Sequence, residues 1–180
     1  MIINRTISIF ILLTLLCIDG RSQDQRISPL DVTTARYKDT YLKIVYSQPQ
    51  KKGRTIFGAL VPYGQVWRTG ANEATEITLT TPILIQGKEL PAGTYSIFTI
   101  PEEKTWTIII NADLGLWGSY NYNPKRDILR MQSNVVDTEA ITESFTIDIE
   151  TNNNLAELIF RWDRTKISLP IQFPEPKPKP

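Results

Sequence analysis

The residues best suited to chemistry crowd into one stretch. From Lys51 to Thr81 the chain reads KKGRTIFGALVPYGQVWRTGANEATEITLTT, with glycine at 53, 58, 64 and 70 and proline at 62. Among these turn formers stand Arg54, Tyr63, Trp67, Arg68, Asn72 and Glu73. An arginine fork beside an asparagine amide suits a carboxylate or the hydroxyls of a carbohydrate, and an indole suits a sugar face. A second chemistry uses Glu73 or Glu76 as general base, with Arg68 stabilising a developing anion. The two acids are three residues apart where loop becomes strand, a spacing that fixes no acid–base geometry. A purely structural account has the aromatics filling a core and Arg68 paired with Glu73 or Glu76, and such pairs say little about function.

Composition removes the commonest catalytic routes. The chain has no histidine and one cysteine, Cys17. Ser-His-Asp and Cys-His arrangements are therefore closed, as are histidine metal sites. No metal and no cofactor is expected, and acid–base work falls to Asp, Glu, Lys or Tyr.

Closely spaced Gly and Pro force turns, because Gly admits positive φ while Pro fixes φ and removes a donor. The stretch is thus an ornate loop, and it feeds a strand over Thr75–Thr80, where apolar and polar residues alternate. Val32–Tyr37 and Tyr41–Tyr46 are two earlier strand candidates. Ile83–Ile85 is a brief apolar run closed by Gln86-Gly87-Lys88. Thr94–Ile100 and Thr105–Asn111, joined by Pro101-Glu102-Glu103-Lys104, read as an antiparallel hairpin. Phe145–Ile149 alternates as a strand with one wet face, and Thr151–Asn154 is a turn cluster. Leu158–Trp162 and Ile167–Ile171 alternate too, and Asp163-Arg164-Thr165 between them predicts a hairpin turn. About nine short strands with frequent turn signals argue an all-β single domain, an antiparallel β-sandwich or jelly-roll-like barrel with long irregular loops.

A second irregular stretch, Asn111–Pro124, carries Trp117, Tyr120 and Tyr122 among glycines and asparagines. One account packs these aromatics on a sheet edge. Another sets the stretch beside the Trp67–Glu73 loop as the other wall of a cleft, which makes Trp117 a candidate ligand contact.

The ends read differently from the middle. Arg5 precedes an apolar run, Ile7–Ile18, that is shorter than the roughly 20 residues a bilayer span requires. Small residues Gly20 and Ser22 then fit a cleavage site, so residues 1–22 are expected to be a secretory signal peptide. Leu16 before Cys17 makes a poor lipidation signal, so no lipid anchor is expected. Cleavage after Ser22 leaves a cysteine-free chain whose residues 23–173 form one domain, exported to periplasm, surface or medium without disulfides. Asp24–Pro29 reads as a loose lead-in, and the proline- and lysine-rich residues 174–180 as a disordered tail. Lys and Arg total 20 against 19 Asp and Glu. That balance gives no reason to expect nucleic acid or an anionic membrane as partner.

The blocks Gly53-Arg54, Phe57-Gly58, Pro62-Tyr63-Gly64 and Trp67-Arg68-Thr69-Gly70-Ala71-Asn72-Glu73 stand in order, followed by LPAGTYSIFTIP, WTIIIN and WGSYNY. Together they resemble the domain of unknown function 2911 family (DUF2911) of exported bacterial proteins, over roughly Ser28 to Ile171. The resemblance implies one mostly β domain behind a signal peptide, and brings no catalytic residues, substrate or cofactor. The functional expectation is a noncatalytic binding or interaction module for a small molecule, glycan or protein. Its candidate site is Arg54, Tyr63, Trp67, Arg68, Asn72, Glu73 and Trp117. The alternatives are a histidine-free hydrolase or lyase and a structural envelope component.

Overall fold

Period-two alternation organises most of the chain into strands that bury one face. The computed structural model describes residues 26–175. Along them run β1 (Leu30–Tyr37), β2 (Thr40–Ser47), β3 (Thr75–Leu79), β4 (Ile83–Ile85), β5 (Lys88–Leu90), β6 (Gly93–Ile100), β7 (Thr105–Asn111), β8 (Asp127–Asn134), β9 (Val136–Asn152) and β10 (Leu155–Gln172). No α-helix occurs among the described residues. Pro124–Arg126 makes one 3-10 turn, capped by Asn123, whose side chain accepts from the Lys125 N–H. The signal-peptide expectation lies outside the described residues. So do residues 176–180 of the predicted tail, whose first acid, Glu175, accepts from the Tyr37 hydroxyl at 2.7 Å and pairs with Lys38.

The strands form two antiparallel sheets, one in the order β1-β2-β3-β6-β7-β8 and the other β5-β4-β10-β9. They pack face to face as a sandwich, and the jelly-roll-like barrel is not formed. Side chains rather than a continuing backbone ladder join the sheet margins: Thr33 Oγ1 donates to Ile147 O at 2.5 Å, and Ser133 Oγ to Ser168 O at 2.7 Å. Between the sheets, Ile44, Ile77, Ile97, Ile108 and Ile110 meet Ile147, Leu158, Phe160 and Trp162, all buried. The opposite face of the larger sheet carries a second, smaller cluster of Ala74, Phe98 and Ile109. Phe98 and Ile97 thus serve different cores, as successive strand residues must.

One predicted turn is absent. Asp163 takes a positive φ of 55°, yet β10 runs straight on from Leu155 to Gln172. Its register against β9 jumps on either side of Asp163: Arg161 opposes Thr146, Asp163 opposes Thr142 and Thr165 opposes Asp137. The additional residues lie on β9, so the irregularity is a bulged region in one long ribbon rather than a reversal. The true reversal is at Asn153, between β9 and β10. The predicted hairpin over Thr94–Asn111 is present as β6 and β7, with Ile97 opposite Ile110 and Phe98 opposite Ile109.

Candidate functional site

The glycine-rich loop between β2 and β3 is stitched to both sheets. At its start, Lys51 N–H donates to Glu143 O at 2.7 Å and Phe145 N–H to Pro49 O at 2.9 Å, which ties it to β9. Near its end, Trp67 and Thr99 exchange backbone hydrogen bonds of 2.7 and 2.9 Å, which ties it to β6. Trp67 closes the space between these anchors. Its indole stacks on Trp162 of the facing sheet at 5.9 Å, meets Phe145 edge-on at 5.0 Å, and donates Nε1–H to Gly70 O at 3.0 Å. Such pairs add about 0.5–1.5 kcal/mol each beyond the area they bury.

The turn after Trp67 is unusual backbone held from several directions. Thr69 and Asn72 have φ of 58° and 57°, a region that a β-branched threonine rarely enters. Thr75 compensates, with its Oγ1 donating to Thr69 O at 2.6 Å and its N–H to Arg68 O at 3.1 Å. Ala71 N–H reaches Ser47 O at 3.1 Å. Gly70, at φ 158°, also leaves no room for a side chain, since a Cβ there would lie 2.9 Å from the Ser47 carbonyl oxygen.

Arg68 is fixed at the base of this turn, and its side chain enters an open cleft of about 470 Å³. Its Nε is buried and has no hydrogen-bond partner among the described residues. Burial pulls the guanidinium below its ordinary pKa, partly offset by the nearby Tyr120 phenol. An arginine still carries its charge there. The ion pair that a structural account predicts for Arg68 is not formed. Glu73 instead receives both Arg26 Nη atoms, at 2.8 and 2.9 Å, and these bonds hold its carboxyl below the usual range. Glu76 Oε1 accepts from Gly115 N–H at 2.9 Å.

Of the seven predicted site residues, Arg54, Trp67, Arg68 and Asn72 line the cleft. Arg54 is anchored by its own loop, donating Nε–H to Lys51 O at 3.0 Å and Nη2–H to Gln50 O at 2.5 Å. Tyr63, Glu73 and Trp117 do not line it. Tyr63 is 37% exposed beside Gly58, and Trp117 is 60% exposed. The second irregular stretch nevertheless lies where the cleft reading sets it. Gly118 N–H donates to Asn72 O at 2.9 Å, Ala74 N–H to Leu116 O at 2.8 Å, and Ser119 joins the cleft wall. It is the backbone of this stretch, with Trp117 bridged to Glu73, that meets the first loop, and Trp117 stays out of the cleft lining.

Sequence reasoning missed Gln50, Lys52, Gln65 and Ser28 in the lining. Lys52 and Gln65 sit in the turn-rich stretch, a position that was itself the available signal, and Gln50 stands just before it. Ser28 belongs to the expected loose lead-in. That segment is instead docked: Gln48 N–H donates to Pro29 O at 2.8 Å, and Arg26 holds Glu73. Among the described residues no group of three or more His, Cys, Asp or Glu stands ready for a metal ion. No described helix is long and apolar enough to cross a membrane.

The family model described as "Protein of unknown function (DUF2911)" matches residues 28–171. The chain belongs to the DUF2911 family. The DUF2911 match runs from just before β1 to the end of β10, so it takes in both irregular stretches and every cleft residue from Ser28 to Trp162. Comparison with curated proteins and with solved structures found no match.

Proposed function

We propose that this DUF2911 domain is a noncatalytic binding module, exported behind its N-terminal apolar segment, and that the cleft beside Trp67 and Arg68 holds its ligand. One observation carries the reading: the half-buried Arg68 lines the cleft, with its Nε buried without a partner and its guanidinium in no ion pair among the described residues. Leaving such a group buried and unpaired costs about 1–3 kcal/mol, more when it is charged. A ligand anion at the Nη edge of the guanidinium offsets the burial of its charge. The cleft is within the size range of small-molecule sites, about 300–1,000 Å³, and its walls are anchored to two sheets.

Catalysis finds less support. Glu73, the acid assigned as general base, is claimed by Arg26 and held ionised below the usual carboxylate range, whereas a base working near neutral pH needs its pKa raised. A scaffold with both indoles buried and no adjoining cavity also fits less well, because Trp67 borders the cleft and Trp117 is exposed. A thermal-shift screen of glycans, peptides and small acids tests the reading. At least one compound is expected to raise the melting temperature of the wild-type protein and to lose that effect in Arg68→Ala. No stabilising compound, together with an Arg68→Ala variant altered only in stability, contradicts it.

A further inference from the structure

Charge is nearly balanced over the whole chain, with 20 basic and 19 acidic residues, but it is not balanced in the cleft. The lining contains Lys52, Arg54 and Arg68 and no aspartate or glutamate. Neighbouring cations are neutralised: Lys51 pairs with Asp163 at 2.5 Å and Arg26 with Glu73 at 2.8 Å. The three lining cations make no ion pair among the described residues. Arg54 spends its donors on the carbonyls of its own loop, which fixes its position without cancelling its charge. One-signed charge in a concave, partly dry site focuses the field on whatever enters it.

From this we infer that the cleft selects a small organic acid, its carboxylate gripped by Arg68 and drawn in by Lys52 and Arg54. The inference rests on the binding-module reading and adds the ligand's chemical class. A guanidinium presents two parallel donors at the separation of carboxylate oxygens, a match that an ammonium lacks. The rest of the lining describes the body of the ligand. Leu60 and Val66 offer apolar contact, while the Gln50 and Gln65 amides serve a hydroxyl or amide group. Phosphate esters share the negative charge and oxygen acceptors, so the test separates the two.

The experiment is a titration of the ¹⁵N-labelled protein followed through backbone amides of the cleft loop and the arginine Nε–H signals. The probes are benzoate, benzamide, benzylamine and phenyl phosphate. Benzoate is expected to shift the Arg68 Nε–H and the 65–72 amides saturably. Benzamide, similar in shape and uncharged, should bind at least about tenfold more weakly, as expected for loss of a charge-assisted hydrogen bond. Arg68→Gln should abolish the preference for acid. Should that variant fold poorly, Lys52→Gln, at an exposed site, should weaken benzoate severalfold and reduce its salt dependence. Equal binding of benzoate and benzamide, or preference for benzylamine, overturns the inference and leaves a ligand cleft standing. Preference for phenyl phosphate overturns the carboxylate assignment. If no probe moves the cleft signals at any attainable concentration, the inference fails, and the thermal-shift screen decides the binding-module reading by itself.

Discussion

The two irregular stretches are alike in composition and opposite in burial. Residues 48–74 send Ile56, Val61 and Trp67 into the main core, with Trp67 only 7% exposed. Residues 112–123 leave Leu114, Trp117 and Tyr120 in solvent, the last 85% exposed, and contribute only Leu116 and Tyr122 to the small cluster over Phe98 and Ile109. The difference is what lies beneath each loop. The first bridges two sheets and must fill the space between them, so Trp67 and Phe57 are structural while Tyr63 stays exposed. The second lies on the outer face of one sheet, where a few side chains suffice to cover Phe98 and Ile109. The comparison separates roles that sequence composition merges: in the first loop a buried indole supports an unpaired arginine at the surface of a cleft, and in the second the backbone supplies a wall. The free aromatics of the second loop are left for other contacts.

That contrast can be broken most forcefully at its tryptophans. Trp67→Ala should cost about 3–5 kcal/mol, and Trp117→Ala should stay within about 0.5 kcal/mol, both read from chemical denaturation midpoints. Similar losses at the two positions would abolish the distinction. The next largest effect is expected at Gly70, where alanine pushes a Cβ against the Ser47 carbonyl oxygen. Overpacking of this kind costs about 1–3 kcal/mol, and loosened hydrogen-exchange protection of Ala71 would report the displaced strand contact.

Thr75→Val tests how the Arg68 turn is held. It strips the 2.6 Å donor from the buried Thr69 carbonyl, with a loss of about 1–3 kcal/mol and a change in the Arg68 Nε–H signal. Among the contacts that hold the first loop, the exposed Arg26–Glu73 pair contributes least. The folded pKa of Glu73 lies below its unfolded value, so its contribution is present above the unfolded carboxyl pKa and lost as pH falls through the folded one. Arg26→Gln should flatten that acid limb by no more than about 1 kcal/mol, since the pair is solvent-screened.

Much of the fold was readable because period-two alternation reports burial directly. Ile97 and Phe98 fall on opposite faces of β6, and their hairpin with β7 follows from two alternating runs and a polar turn. The Asp163 region was misread because Asp-Arg-Thr carries ordinary turn chemistry, yet the positive φ at Asp163 does not reverse β10 and the additional residues lie on β9 opposite it. Only the register between β9 and β10 distinguishes them, and register is a tertiary fact. The site was partly readable for a similar reason. Turn formers marked the loop that holds Arg54, Trp67, Arg68 and Asn72, but partner choice was hidden. Glu73 pairs with Arg26, 47 residues away, rather than with Arg68 five residues away, and that choice is what leaves Arg68 available. Trp117 looked equivalent to Trp67 because composition does not say which sheet face a loop covers.

The account stands or falls on Arg68 being held in an open cleft without a protein acid beside it. A crystal structure of the protein grown with benzoate tests this directly. The expected result is a carboxylate about 2.9 Å from the Arg68 Nη atoms, with Trp67 stacked on Trp162 and Glu73 still held by Arg26. A guanidinium paired to Glu73 or Glu76, with the cleft filled by the protein's own side chains, would contradict it.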